Sequence, residues 1–233
     1  MKRIISNRMP KGAGNWGVCL SIISLVFAFS AMLAPLINAG TFIDDFNDGK
    51  ADGWVVFEGK WEVVNGEYRA PVEVNKVPYP LTFALDGKEY GEFTIEAKIR
   101  NDKFHSTMNQ AHAGFAFGMD SKGTGYVLYF RFHKGITCAG GAVVIRRIIE
   151  NLRGGCDPNA DVAEGCDVFK AMDIGNWHTL KAEVSAQNGA IKAWVDGKAS
   201  IDIKLSAQKL KLDTGKVGLC SLRSVVYFVN HDG

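Results

Sequence analysis

Glu92 and Glu96 stand four residues apart in the run Glu92-Phe93-Thr94-Ile95-Glu96, a pair of acids to be weighed for hydrolytic chemistry. Two carboxyl groups flanking a glycosidic bond hydrolyse it when they stand ~5 Å apart (retaining) or ~6.5–9.5 Å apart (inverting). Four steps along a strand separate Cα atoms by about 13 Å, at ~3.3 Å each. The pair by itself matches neither geometry, and its plainer reading is solvated charge on a strand face. Glu92 and Glu96 stand as the alternative catalytic residues, and no other catalytic residue is expected. His105, His112, His133, His178 and His231 show neither a paired zinc spacing nor a serine nucleophile motif beside them.

Binding chemistry is better represented. Along Tyr126 to His133 one face carries Tyr126, Leu128, Phe130 and Phe132, and the other Val127, Tyr129, Arg131 and His133. The second face offers a ring for stacking against a sugar and two polar side chains for its hydroxyls. His112, Gly114, Ala116 and Gly118 share a face of a neighbouring segment, where small residues leave room for a groove. Trp194, between Lys192 and Asp196, is a second stacking residue. The expected ligand-binding set is therefore Tyr129, Arg131, His133, Trp194 and His112, and the expected partner a polysaccharide or glycan. Asp157-Pro158-Asn159-Ala160-Asp161 imitates half of a calcium loop, but Val162 replaces the turn glycine and Val168 the closing glutamate. Arg146, Arg147 and Arg153 form a basic cluster suited to sulfated or uronic glycans, or simply to water.

The elements that position these residues are strands. Asp-Gly and Asn-Gly pairs at 48–49, 52–53, 65–66, 86–87, 188–189 and 196–197 favour tight turns. Between them run short period-two segments: Trp61 to Val64, Phe93 to Arg100, Tyr126 to His133, Trp177 to Val184 and Ile191 to Val195. No sustained helical periodicity interrupts them. The expected class is all-β, a two-sheet antiparallel sandwich, with residues 146–169 as an insertion loop because the alternation lapses there.

Lys2, Arg3, Arg8 and Lys11 are the only charges before Asp44, and they precede an apolar run from Val18 to Ile37. This pattern reads as a signal peptide over 1–39, cut after Ala39, with the domain over 40–233 and a secreted or periplasmic destination. An uncleaved anchor is the alternative, and the only membrane connection expected. Removing those four cations from 27 leaves 23 against 25 acidic residues, so nothing in the charge favours nucleic acid. Four cysteines remain beyond residue 40, and export suggests two disulfides. The expected pairs are Cys156 with Cys166, closing a short loop, and Cys138 with Cys220.

Several segments carry a family resemblance. Phe42-Ile43-Asp44-Asp45-Phe46-Asn47-Asp48-Gly49, then Trp54, then Trp61-Glu62-Val63-Val64-Asn65-Gly66, resemble the opening of concanavalin A-like (laminin G-like) domains. Gly125 to Phe132, Trp177 to Lys181, Ile191 to Lys198 and Gly215 to Leu219 resemble later strands in the same order. The resemblance implies a jelly roll. It also implies a structural calcium held by Asp44 or Asp45 with Asn230 or Asp232, although Val229 stands where the closing strand's aspartate is expected. The family's sugar-cleaving members carry an acid triplet, and here Thr94 replaces its middle acid. The leading expectation is an exported, non-catalytic, lectin-like carbohydrate-binding module. A glycoside hydrolase or related sugar-cleaving enzyme, and a cell-surface adhesive or structural protein-binding domain, are the alternatives.

Overall fold

Period-two sequences bury one face each, and two such faces make a core when sheets stack. The computed structural model describes residues 43–71, 82–104, 111–133, 138–150, 161–205, 211–222 and 224–230. Every described residue lies in one compact unit, Ile37–Gly233. Its strands are β1 (Val55–Glu58), β2 (Glu62–Val64), β3 (Glu67–Ala70), β4 (Thr82–Tyr90), β5 (Glu92–Phe104), β6 (His112–Met119) and β7 (Gly125–Arg131). They continue as β8 (Gly141–Ile148), β9 (Asp161–Phe169), β10 (Trp177–Ser185), β11 (Ala190–Val195), β12 (Lys198–Lys204), β13 (Gly215–Leu222) and β14 (Ser224–Val229). No helix among the described residues is long and apolar enough to cross a membrane.

One seven-stranded sheet has the order β1-β4-β13-β6-β7-β8-β9 and the other β12-β11-β10-β5-β14-β3-β2. Every strand pair is antiparallel. The expected all-β sandwich is thus the observed one. Phe115, Phe117, Leu128 and Phe130 of the first sheet meet Ile99, Leu180, Val226 and Phe228 of the second, each fully or almost fully buried. The Asn65-Gly66 and Asp196-Gly197 pairs both take positive φ (53° and 76°, 48° and 76°), as the tight β2–β3 and β11–β12 turns require.

The first sheet is apolar on its outer face as well. Phe83, Val127, Tyr129, Val144 and Cys220 form a second buried cluster there. Gly114 lies on this face without opening it: a Cβ at Gly114 would strike the Leu128 carbonyl and the Tyr129 Cα, so the absent side chain is replaced by the β7 backbone.

On the outer face of the second sheet, one transverse row reads Trp177, Arg100, Tyr227, Arg69, Glu62, each opposite the next in register. The Arg100 guanidinium lies 4.4 Å from the Trp177 ring centre and 4.6 Å from that of Tyr227. Its Nη atoms donate to both Glu67 oxygens at 3.1 and 3.0 Å, and its Nε to Asp102 at 2.7 Å.

Two expectations are corrected. Residues 146–169 include the end of β8 and the whole of β9, an edge strand; register shifts between Gly141 and Val143 and between Ile145 and Arg146 break the alternation that would have revealed it. Cys138 is bonded to Cys166, with Cα atoms 5.2 Å apart, because β9 folds back beside β8. Cys220 is a buried free thiol on β13, and Cys156 lies outside the described residues.

Candidate functional site

The neighbours of β5 cover different stretches of it. β10 pairs with Glu92 through Arg100, whereas β14 pairs only with Lys98 through Phe104. Along Glu92 to Ala97 the β14 side of the strand has no strand partner among the described residues. A cavity of about 500 Å³ lies there, a size that suits a small ligand.

Its wall comes from five places: Ile43, Asp44, Phe46 and Trp54 of the loop before β1; Asp86 and Tyr90 of β4; Glu92 to Ala97 of β5; Val217 to Leu219 of β13; and Phe228, Val229 and Asn230. Gly218 lets β13 approach β4 at a register shift, since a Cβ would strike the Ala84 carbonyl. Tyr90 meets Phe93 edge-on at 6.3 Å, and Phe93 meets Phe117 at 6.2 Å, so the cavity's rings are anchored in the core. Trp54, Tyr90, Phe93 and Ile95 are half-buried, each keeping part of its surface accessible.

The polar groups are held by specific partners. Asp44 Oδ1 accepts from the Phe46 N–H at 2.9 Å and its Oδ2 from Trp54 Nε1 at 2.8 Å. Burial raises the Asp44 pKa above the ordinary carboxylate value despite these two bonds. Asp86 Oδ2 accepts from the Tyr90 hydroxyl at 2.5 Å, and burial together with that bond pushes the Tyr90 phenol up to about 12. Glu92 Oε1 accepts from Ser185 Oγ at 2.8 Å and from the Gln187 N–H at 3.1 Å, closing the β10–β11 turn onto β5. Glu96 stands opposite Lys181 in register.

The structure brings Glu92, Glu96, Asp44 and Asn230 to one cavity, although the sequence assigns them to two different chemistries. His112, Tyr129, Arg131 and His133 gather separately, on the outer face of the first sheet. Tyr129 is 3% exposed and burial raises its phenol pKa; His112 lies 4.7 Å from its ring and 5.0 Å from that of His133. Arg131 is paired with Glu164. Trp194 belongs to the other sheet, with Lys181 Nζ 5.4 Å from its ring centre. Trp54, Asp86, Tyr90 and Phe93 escaped the sequence reading as site residues. Trp54 and the Asp86-Gly87 pair are legible in the sequence only as structural features, the pair lying inside β4 at its register shift with β13 and not in the expected tight turn, and Tyr90 carries no signal.

Of the residues expected to hold calcium, Asp44 and Asn230 line this cavity. Asp44 engages both oxygens with N–H donors, Asp45 Oδ1 accepts from the Asn47 N–H at 3.0 Å, and Asp232 lies outside the described residues. One trio of ligand-type side chains converges among the described residues, Cys138, Glu164 and Cys166, but its sulfurs are bonded to each other and its carboxylate to Arg131.

The architecture is the concanavalin A-like jelly roll. Carbohydrate-binding module CBM66 from Bacillus subtilis is similar at a TM-score of 0.56 and 20% identity, over 76% of this chain and 92% of that one. The potassium-bound Emp46p carbohydrate recognition domain gives 0.53 and 16%, over 80% and 89%. A Bacillus licheniformis β-glucanase gives 0.55 and 14%, over 83% and 96%. These likenesses establish the fold. No protein-family model and no curated protein matches the sequence.

Proposed function

We propose that this chain is an exported, non-catalytic carbohydrate-binding domain whose glycan occupies the cavity beside β5. The composition of the cavity wall carries the reading: half-buried Trp54, Tyr90 and Phe93 beside the oxygen acceptors Asp44, Asp86, Glu92, Glu96 and Asn230. The apolar C–H face of a sugar stacks on aromatic rings, while its hydroxyls donate to carboxylate and carboxamide oxygens. The similar solved structures include a carbohydrate-binding module and a carbohydrate recognition domain, which supports the same reading at the level of fold. Export rests on the cationic start and apolar run before Ala39.

A glycan array probed with the purified protein tests it. Binding to at least one glycan is expected, and Trp54→Ala and Tyr90→Ala are each expected to abolish it while the circular dichroism spectrum stays that of a β protein. Absence of binding to every glycan, with calcium and with chelator, sinks the reading.

A hydrolase is the second reading, favoured by one observation: Glu92 and Glu96 line the same cavity. Reducing-sugar release from a polysaccharide panel, lost in Glu92→Gln or Glu96→Gln, would establish it. The tie of Glu92 to Ser185 and Gln187 supports binding over catalysis.

A further inference from the structure

We infer that the cavity beside β5 prefers glycans carrying a free, positively charged amine, hexosamine residues without an acyl cap, over neutral and acidic ones. This rests on the carbohydrate reading above and specifies its ligand class.

The rings of Trp54, Tyr90 and Phe93 accept any sugar face, so they do not choose among glycans. Charge does. The cavity wall holds four carboxylates, Asp44, Asp86, Glu92 and Glu96, and no Lys, Arg or His lines it among the described residues; Lys181 stands opposite Glu96 in register, so the charge left to a ligand is that of Asp44, Asp86 and Glu92. The bonds recorded at Asp44, Asp86 and Glu92 come from neutral donors: the indole of Trp54, the hydroxyls of Tyr90 and Ser185, and backbone N–H groups. Neutral donors fix the orientation of a carboxylate without cancelling its charge. An ammonium placed among these groups is attracted by all of them, and the half-buried setting strengthens each attraction relative to water. A cation there also offsets the burial that disfavours ionised Asp44. Uronic acids and sulfated sugars meet the same field with the opposite sign and are rejected. Arg146 does not reverse this, because it is paired with Asp161 on β8–β9, at a distance from the wall in the sheet order.

The test is titration calorimetry of the purified protein with three oligosaccharides of equal length: glucosamine with free amines, the same oligomer fully N-acetylated, and a uronic acid oligomer. The free-amine oligomer is expected to bind on the order of tenfold tighter than the acetylated one at low salt, with the advantage shrinking as salt screens the carboxylates. Asp86→Asn and, separately, Asp44→Asn are expected to reduce that advantage, each variant checked for fold by circular dichroism. Equal or tighter binding of the acetylated or uronic oligomer overturns the inference and leaves carbohydrate binding standing. Failure of all three here, and of every glycan on the array, removes both.

Discussion

Trp54 Nε1 donates to Asp44 Oδ2 at 2.8 Å, a bond that ties two ends of the loop before β1 and forms one corner of the cavity. The other oxygen of Asp44 receives the N–H of Phe46, whose backbone sits at φ 57°, a region that side chains rarely adopt. One carboxylate thus holds a ring and a strained backbone in place. Trp54→Phe keeps an aromatic ring, a smaller one, but removes the donor, and is expected to lower stability by about 1–2 kcal/mol in urea unfolding. An unchanged midpoint would show that water replaces the indole without cost.

The Cys138–Cys166 bond closes a separation of 28 residues onto an edge strand. The chain-entropy model gives such a loop about 3–4 kcal/mol. Cys138→Ala with Cys166→Ala is expected to lose most of that in equilibrium unfolding. Cys220 is fully buried, which raises its thiol pKa, so it is expected to resist thiol reagents until the chain unfolds. Rapid labelling of Cys220 in the folded protein would contradict its place in the outer cluster.

Arg100 between Trp177 and Tyr227 is a filled arrangement: both rings lie against the guanidinium, and its donors are taken by Glu67 and Asp102. A lysine has neither the planar group nor the fork of donors. Arg100→Lys is expected to cost about 1–2 kcal/mol by thermal or urea unfolding, with glycan binding unchanged. A loss of binding without loss of stability would move the site to this face.

Tyr68 and Tyr90 each have a phenol pushed up to about 12, in both cases first by burial; the Asp44 charge adds to it at Tyr68 and the Asp86 hydrogen bond at Tyr90. The folded state therefore holds these protons more tightly than the unfolded chain, whose tyrosines titrate near ~10. Their stabilisation is complete below about pH 10 and is lost as the pH rises through about 12. Unfolding free energy is expected to fall over that alkaline window, and Tyr68→Phe and Tyr90→Phe to flatten the fall. Ultraviolet titration of the folded protein checks it independently, since both phenols should ionise later than a free tyrosine.

The sequence by itself determined the fold class, the inward faces of strands such as β5 and several tight turns. Phe93, Ile95, Ala97 and Ile99 alternate, and they face the core; Asn65-Gly66 and Asp196-Gly197 favour positive φ, and they turn. Both signals are local, written in neighbours one or two residues apart. Tertiary structure alone decided where the cavity lies, because it arises from β14 ending beside Lys98 while β5 continues to Glu92, and strand lengths across a sheet are not local. It also decided that Cys166 meets Cys138, since bulges hid β9 from any periodicity, and that Tyr129 is buried on a face whose alternation looked half-polar. Short-range sterics and hydrophobic period choose the strands; which residues share a wall depends on how the fourteen strands of the described residues are stacked and trimmed.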